Sequence, residues 1–162
     1  MDHRPPNKID ASSTPGLRSP PWRGSLRAPD ETGSQPEGTL RILVIEDDLL
    51  IASQIENSLS EAGFDVVGIA TTGVEALELA KARSPVLAVA DIRLAGGRDG
   101  IDTALELFRL HNIRCIFASA HSDKEARRRA EPAAPFGWLQ KPYTMTSLTA
   151  MVRAAADDLS SR

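Results

Sequence analysis

From Leu40 to Ile45 the chain is apolar except at Arg41, which predicts a strand buried on both faces of a parallel sheet. Glu46-Asp47-Asp48 ends that run, and Ile51, Ile55 and Leu59 then recur at helical spacing, with Gly63 placed to close the helix. Phe64–Ala70 reads as a second strand, and Thr72 to Glu75 has capping-box spacing at the start of a helix through about Arg83. Pro85 breaks that helix, and the apolar run Val86–Ala90 forms a third strand ending at Asp91. Ile92–Arg98 is a loop with a turn at Gly96-Gly97, and Asp99 can cap the helix carrying Ile101, Ala104, Leu105 and Phe108. Ile113–Ala118 is a fourth strand. Ser122 to Glu125 repeats the capping-box spacing before a short helix that stops ahead of Pro132 and Pro135. Phe136–Gln140 is a fifth strand, and Thr144 can cap a last helix through about Leu159 with Leu148, Val152 and Ala155 inside.

Such alternation predicts an α/β, doubly wound, five-stranded parallel sheet with five helices and right-handed crossovers. Ligands in these sheets sit beyond the carboxyl ends of the strands, near the point where strand order reverses. The chain's unusual residues fall there: Glu46 and Asp47 after the first strand, Asp91 after the third, Ser119 after the fourth and Lys141 after the fifth.

Residues 1–38 break the pattern. They hold seven of the 11 prolines, and their apolar residues follow no period, so a disordered tail is expected ahead of one domain over residues 39–160. The tail's basic and acidic residues cancel, and the whole 162-residue chain has a net charge of −3, which gives no electrostatic case for nucleic acid or an anionic membrane. A single cysteine, Cys115 in an apolar run, excludes an intramolecular disulfide and suits a buried structural thiol in a reducing cytoplasm. No apolar stretch is long enough for a membrane span or a signal core, so a soluble cytoplasmic protein is expected. His3, His111 and His121 share no ligand spacing, and Arg127-Arg128-Arg129 reads first as a solvated helix face.

Three carboxylates at adjacent strand ends repel one another unless a cation lies between them, and hard oxygen donors with room for water suit Mg²⁺. A carboxylate can also be the nucleophile in phosphoryl transfer, with a cation, a lysine and a hydroxyl around the transferring group. Lys141 and Ser119 supply the last two.

The run Ile42-Leu-Val-Ile-Glu-Asp-Asp48, the Asp91-Ile-Arg-Leu segment, Ser119-Ala120 and Lys141-Pro142 together resemble the receiver domains of response regulators (the CheY-like family). The resemblance spans residue 40 to about 158, and Asp47 and Asp91 stand 44 apart (91 − 47), a spacing usual for the family. It implies that Asp91 is the phosphoacceptor, that Asp47 binds Mg²⁺ directly, and that Glu46 and the Arg93 carbonyl complete the cation site. It also implies that Ser119 is the switch hydroxyl, Lys141 the partner of Asp91, Pro142 a cis proline and Trp138 the switch aromatic. The expected partners are a sensor histidine kinase or histidine phosphotransfer protein upstream and an unidentified protein downstream, with phosphorylation favouring pairing of copies. The chain has little beyond its fifth helix, so a regulator that signals through protein contacts, with no output domain or enzymatic turnover of its own, is expected.

The chain departs from the family in two places: the stretch from Asp91 to Asp99-Gly100 is one residue longer, with Ala95 at a frequent proline position, and Trp138 replaces a smaller aromatic. The alternatives are a phosphorylation-independent scaffold and a phosphatase of the haloacid dehalogenase type. The latter wants Asp-x-Asp after its first strand, which Glu46-Asp47-Asp48 does not offer.

Overall fold

The computed structural model describes residues 39–120 and 124–162. The anticipated tail and the Ser122 cap lie outside the described residues.

Five strands are present, β1 (Arg41–Ile45), β2 (Asp65–Ala70), β3 (Leu87–Asp91), β4 (Arg114–Ser119) and β5 (Gly137–Gln140). They alternate with α1 (Leu49–Glu61), α2 (Gly73–Arg83), α3 (Gly100–His111), α4 (Lys124–Ala130) and α5 (Met145–Ser160). All pairings are parallel and the order is β2-β1-β3-β4-β5, the predicted doubly wound sheet. Strand order reverses between β1 and β3. Their exit loops diverge there and leave a crevice at the carboxyl edge.

The two-residue strand period divides the core. Ile42 and Val44 of β1 pack with Ala52, Ile55 and Leu59 of α1 and with Leu148, Val152 and Ala155 of α5. Leu43 and Ile45 face the other way, onto Ala76 and Ala80 of α2, Ile101 and Leu107 of α3, and Ala126 and Ala130 of α4. Each fully buried Leu or Ile contributes roughly 1.5–3 kcal/mol, so the large side chains of the strands, α1, α3 and α5 dominate the stability. The alanine faces of α2 and α4 contribute much less.

Helix starts follow the sequence closely. Asp48 caps α1, its Oδ1 accepting from Leu50 N at 2.9 Å and Ile51 N at 3.2 Å. Asp99 caps α3, and Thr144 forms a capping box with Ser147 at the start of α5. The Thr72 box is only half made: Thr72 Oγ1 accepts from Glu75 N, but the Glu75 carboxylate reaches past Thr72 to the amide and hydroxyl of Thr71. Pro132 does not stand clear of helical structure. It lies in a 3-10 turn, Glu131–Ala133, at a first-turn position where its missing N–H leaves no bond unmade.

Gly100 marks a close approach. Its N–H donates to the Ile92 carbonyl at 2.6 Å, and a Cβ built there would overlap the Asp91 carbonyl oxygen. The first turn of α3 thus rests directly on the backbone that ends β3.

Candidate functional site

The carboxyl edge gathers the polar residues in a fixed sequence of roles. Glu46 continues β1 by one pairing, its N–H donating to Ala70 O at 2.9 Å, and its side chain turns inward, with 2% of the residue exposed. Asp47 is exposed beside it, and Asp48 both caps α1 and donates its N–H to Glu46 Oε1 at 3.1 Å. Three consecutive acids therefore divide into two that face the crevice and one that starts a helix.

Asp91 closes β3. Its Oδ1 accepts from Arg93 N at 3.2 Å, and its Oδ2 accepts from Lys141 Nζ at 2.8 Å. Lys141 is placed by the sheet, since its N–H donates to Ser119 O at 2.7 Å and so extends the β4–β5 pairing by one residue. The Lys141-Pro142 peptide is cis, as the resemblance implies. Ser119, Arg93, Ala120, Asp91 and Lys141 line a cavity of about 190 Å³, closed on the α4 side by Ala126.

One carboxylate oxygen from each of Glu46, Asp47 and Asp91 lies within 4.8 Å of the others, the only group of metal-ligating side chains of this kind among the described residues. At that spacing, and at an effective dielectric near 20, two ionised carboxylates repel by about 3 kcal/mol. Burial is the largest influence on Glu46 and raises its pKa. The charges of Asp91 and Asp47 push the same way, against the Asp48 N–H and Lys141. For Lys141, burial pulls the amine down, but the hydrogen bond and charge of Asp91, with Glu46, outweigh it, and the net shift is upward. The oxygens are hard donors in the number that suits Mg²⁺, and a divalent cation would relieve the repulsion that one lysine only partly offsets.

Trp138 lies half-buried on β5, stacked on Phe117 with ring centroids 4.7 Å apart and an interplanar angle of 29°. The Arg127 guanidinium carbon is 4.9 Å from its ring centroid. The arginine run of α4 is exposed, as anticipated, and each arginine also makes a specific contact. Arg127 engages Trp138, Arg128 pairs with Glu125, and Arg129 pairs with Asp99 and Asp102.

Sequence reasoning missed Ala126 as a cavity wall and the Tyr143 hydroxyl, which is buried with no hydrogen-bond partner. Burial, with Glu46 and Asp91 nearby, raises the Tyr143 pKa although Lys141 opposes them. Only its place two residues after Lys141 hinted at the site. His111 is exposed at the end of α3, away from any group of metal ligands.

Residues 42–153 match the family model described as the response regulator receiver domain. The transcriptional regulatory protein PdtaR of Mycobacterium tuberculosis is 33% identical over 115 residues, covering 71% of this chain and 56% of that protein. The phyllosphere-induced regulator PhyR of Methylorubrum extorquens is 32% identical over 130 residues, covering 78% of this chain and 48% of PhyR. The chain thus spans about half the length of these curated relatives. Among solved structures, the signal receiver domain of a modulated diguanylate cyclase from Desulfovibrio desulfuricans superposes with a TM-score of 0.68 at 33% identity, covering 74% of this chain and 95% of that one. No helix among the described residues is long and apolar enough to cross a membrane. With the doubly wound sheet, the acidic crevice and the family match in agreement, the chain belongs to the response regulator receiver domains.

Proposed function

We propose that this receiver domain takes a phosphoryl group onto Asp91 from a phosphohistidine of a sensor kinase or phosphotransfer protein, and signals through protein contacts. The observation that carries the reading is the Asp91–Lys141 contact at 2.8 Å, inside a cavity whose neighbouring strand end supplies two more carboxylates. A carboxylate oxygen of Asp91 attacks phosphorus, the P–N bond to the donor imidazole breaks, and its electron pair leaves with the ring. Lys141 exchanges its carboxylate partner for a phosphoryl oxygen, and the Ser119 hydroxyl donates to another. The Arg93 N–H already orients the Asp91 carboxylate. Glu46, Asp47, Asp91 and the Arg93 carbonyl would hold Mg²⁺, which when bound neutralises charge on the transferring oxygens. Trp138, beside Ser119 through Phe117, is the residue that reports the change to partners.

Incubation with acetyl phosphate and Mg²⁺ tests this by intact mass. One added phosphoryl group, absent in Asp91→Asn and prevented by EDTA, is expected. An unlabelled wild-type protein would leave a phosphorylation-independent scaffold, and repeated turnover of the phosphate ester would point to an enzyme instead.

A further inference from the structure

The short helix α4 is held in an unusual way. Its buried residues are Ala126 and Ala130, each offering one methyl group to the core, so apolar burial fixes it weakly. Arg127 meets Trp138 on the β5 side, and Arg128 pairs inside the helix with Glu125 and cannot position it. Arg129 reaches out of the helix, donating to Asp99 Oδ2 at 2.8 Å and to Asp102 Oδ1 at 3.0 Å. Asp99 is itself immobilised, because its other oxygen accepts from Asp102 N at 2.8 Å as the cap of α3. One guanidinium thus ties α4 to the first turn of the helix that rests on the Asp91 backbone. One turn earlier on α4, Ala126 forms the wall of the cavity around Asp91, Ser119 and Lys141.

We infer that Arg129 is a positioning residue for phosphotransfer: by tying α4 to Asp99 and Asp102 it holds Ala126 against the cavity and so selects phosphodonors by size. The inference rests on Asp91 being the phosphoacceptor. The tie is open to solvent, with side-chain exposures of 39% for Arg129, 33% for Asp99 and 57% for Asp102, so salt weakens it. When it loosens, the α4 wall withdraws and a bulkier leaving group gains access to the line of attack on phosphorus.

Acetyl phosphate and benzoyl phosphate test this, since both are acyl phosphates whose carboxylate leaves with the P–O electron pair, and they differ in the size of that carboxylate. Labelling rates of the full chain with Mg²⁺ are measured by intact mass for the wild type, Arg129→Gln, Arg129→Lys and Asp102→Asn. Losing an exposed tie of this kind is expected to raise the benzoyl-to-acetyl rate ratio roughly two- to fivefold in Arg129→Gln. Arg129→Lys is expected to restore most of the wild-type ratio, and Asp102→Asn to fall between. Raising salt from about 0.05 M to about 1 M, where the screening length drops to about 3 Å, should move the wild-type ratio toward that of Arg129→Gln and leave the variant unmoved. If Arg129→Gln does not fold, Asp102→Asn takes its place in the salt series, with a smaller salt response than the wild type expected and an equal one overturning the role. An unchanged ratio in Arg129→Gln, or an equal salt response in both proteins, overturns the role of Arg129 while labelling at Asp91 stands. Absence of label from both donors removes the phosphoacceptor reading, and this inference with it.

Discussion

Phe117 and Trp138 are register partners across β4 and β5, and their rings stack 4.7 Å apart, so Trp138 is held by the strand that also carries Ser119. Phe117 is fully buried. Phe117→Ala removes both the stack and a core side chain and is expected to cost about 3–5 kcal/mol of unfolding free energy. Urea unfolding followed by Trp138 emission in a Trp22→Phe background measures this. A red-shifted native emission should accompany it, and an unshifted spectrum would show that Trp138 keeps its place without Phe117.

The Lys141 ammonium bonds Asp91 Oδ2 at 2.8 Å, and a cation held by Glu46, Asp47 and Asp91 would share that carboxylate with it. Lys141→Ala should therefore tighten Mg²⁺ binding, by roughly fivefold for about 1 kcal/mol of relieved like-charge repulsion, while slowing labelling by acetyl phosphate. Fluorescence titration with Mg²⁺ reads the first effect and intact mass the second. Equal Mg²⁺ affinity in the two proteins would mean that the lysine and the cation do not share the carboxylate.

Glu46 is buried with a raised pKa, first through desolvation and then through its acidic neighbours. A carboxylate whose folded pKa lies above its unfolded value of 4.5 weakens the fold above the folded pKa, and this penalty fades as pH falls through that pKa toward 4.5. In EDTA near neutral pH, Glu46→Gln should accordingly be more stable than the wild type, with the advantage shrinking over that acid window. Saturating Mg²⁺ should reverse the order, because only the wild type gains the full donor set. Urea midpoints with and without the cation test both halves.

Burial raises the Cys115 thiol to about 12 from an ordinary 9.0. Its raised folded pKa favours the native state fully below the unfolded value of 9.0, and that contribution is lost as pH climbs toward 12. The native protein should react very slowly with a thiol reagent at pH 8 and rapidly in urea, and Cys115→Ala should flatten the alkaline limb of the stability profile. Fast modification of the folded protein would place the thiol at the surface.

The sheet, the starts of α1, α3 and α5 and the acidic edge were legible because each is written in short-range terms. Alternating strand faces, Asp or Thr before a helix, and reactive residues at the last strand position all follow from a few neighbouring letters. Asp48 and Asp99 were readable as caps for that reason. Arg129 was not readable as a tie, since its acceptors lie 27 and 30 residues earlier and a guanidinium on a flexible stem can meet any acid within reach. The same holds for Arg127 over Trp138. Glu75 shows a smaller failure: a carboxylate three residues after Thr72 has two amides within range, and only the loop's geometry selects Thr71. Ala126 offered no signal at all, because a methyl group becomes a wall only through what stands opposite it.

The contact of Gly100 with the Asp91 carbonyl has a genealogical consequence. Any side chain at position 100 would have to displace the backbone that carries Asp91, so a loop of any length between them is expected to need a glycine where it meets that carbonyl. The residue that begins α3 thus serves as a ruler for the loop. Among descendants of this chain, that glycine should survive changes in loop length, and its loss should accompany loss of a working aspartate at position 91.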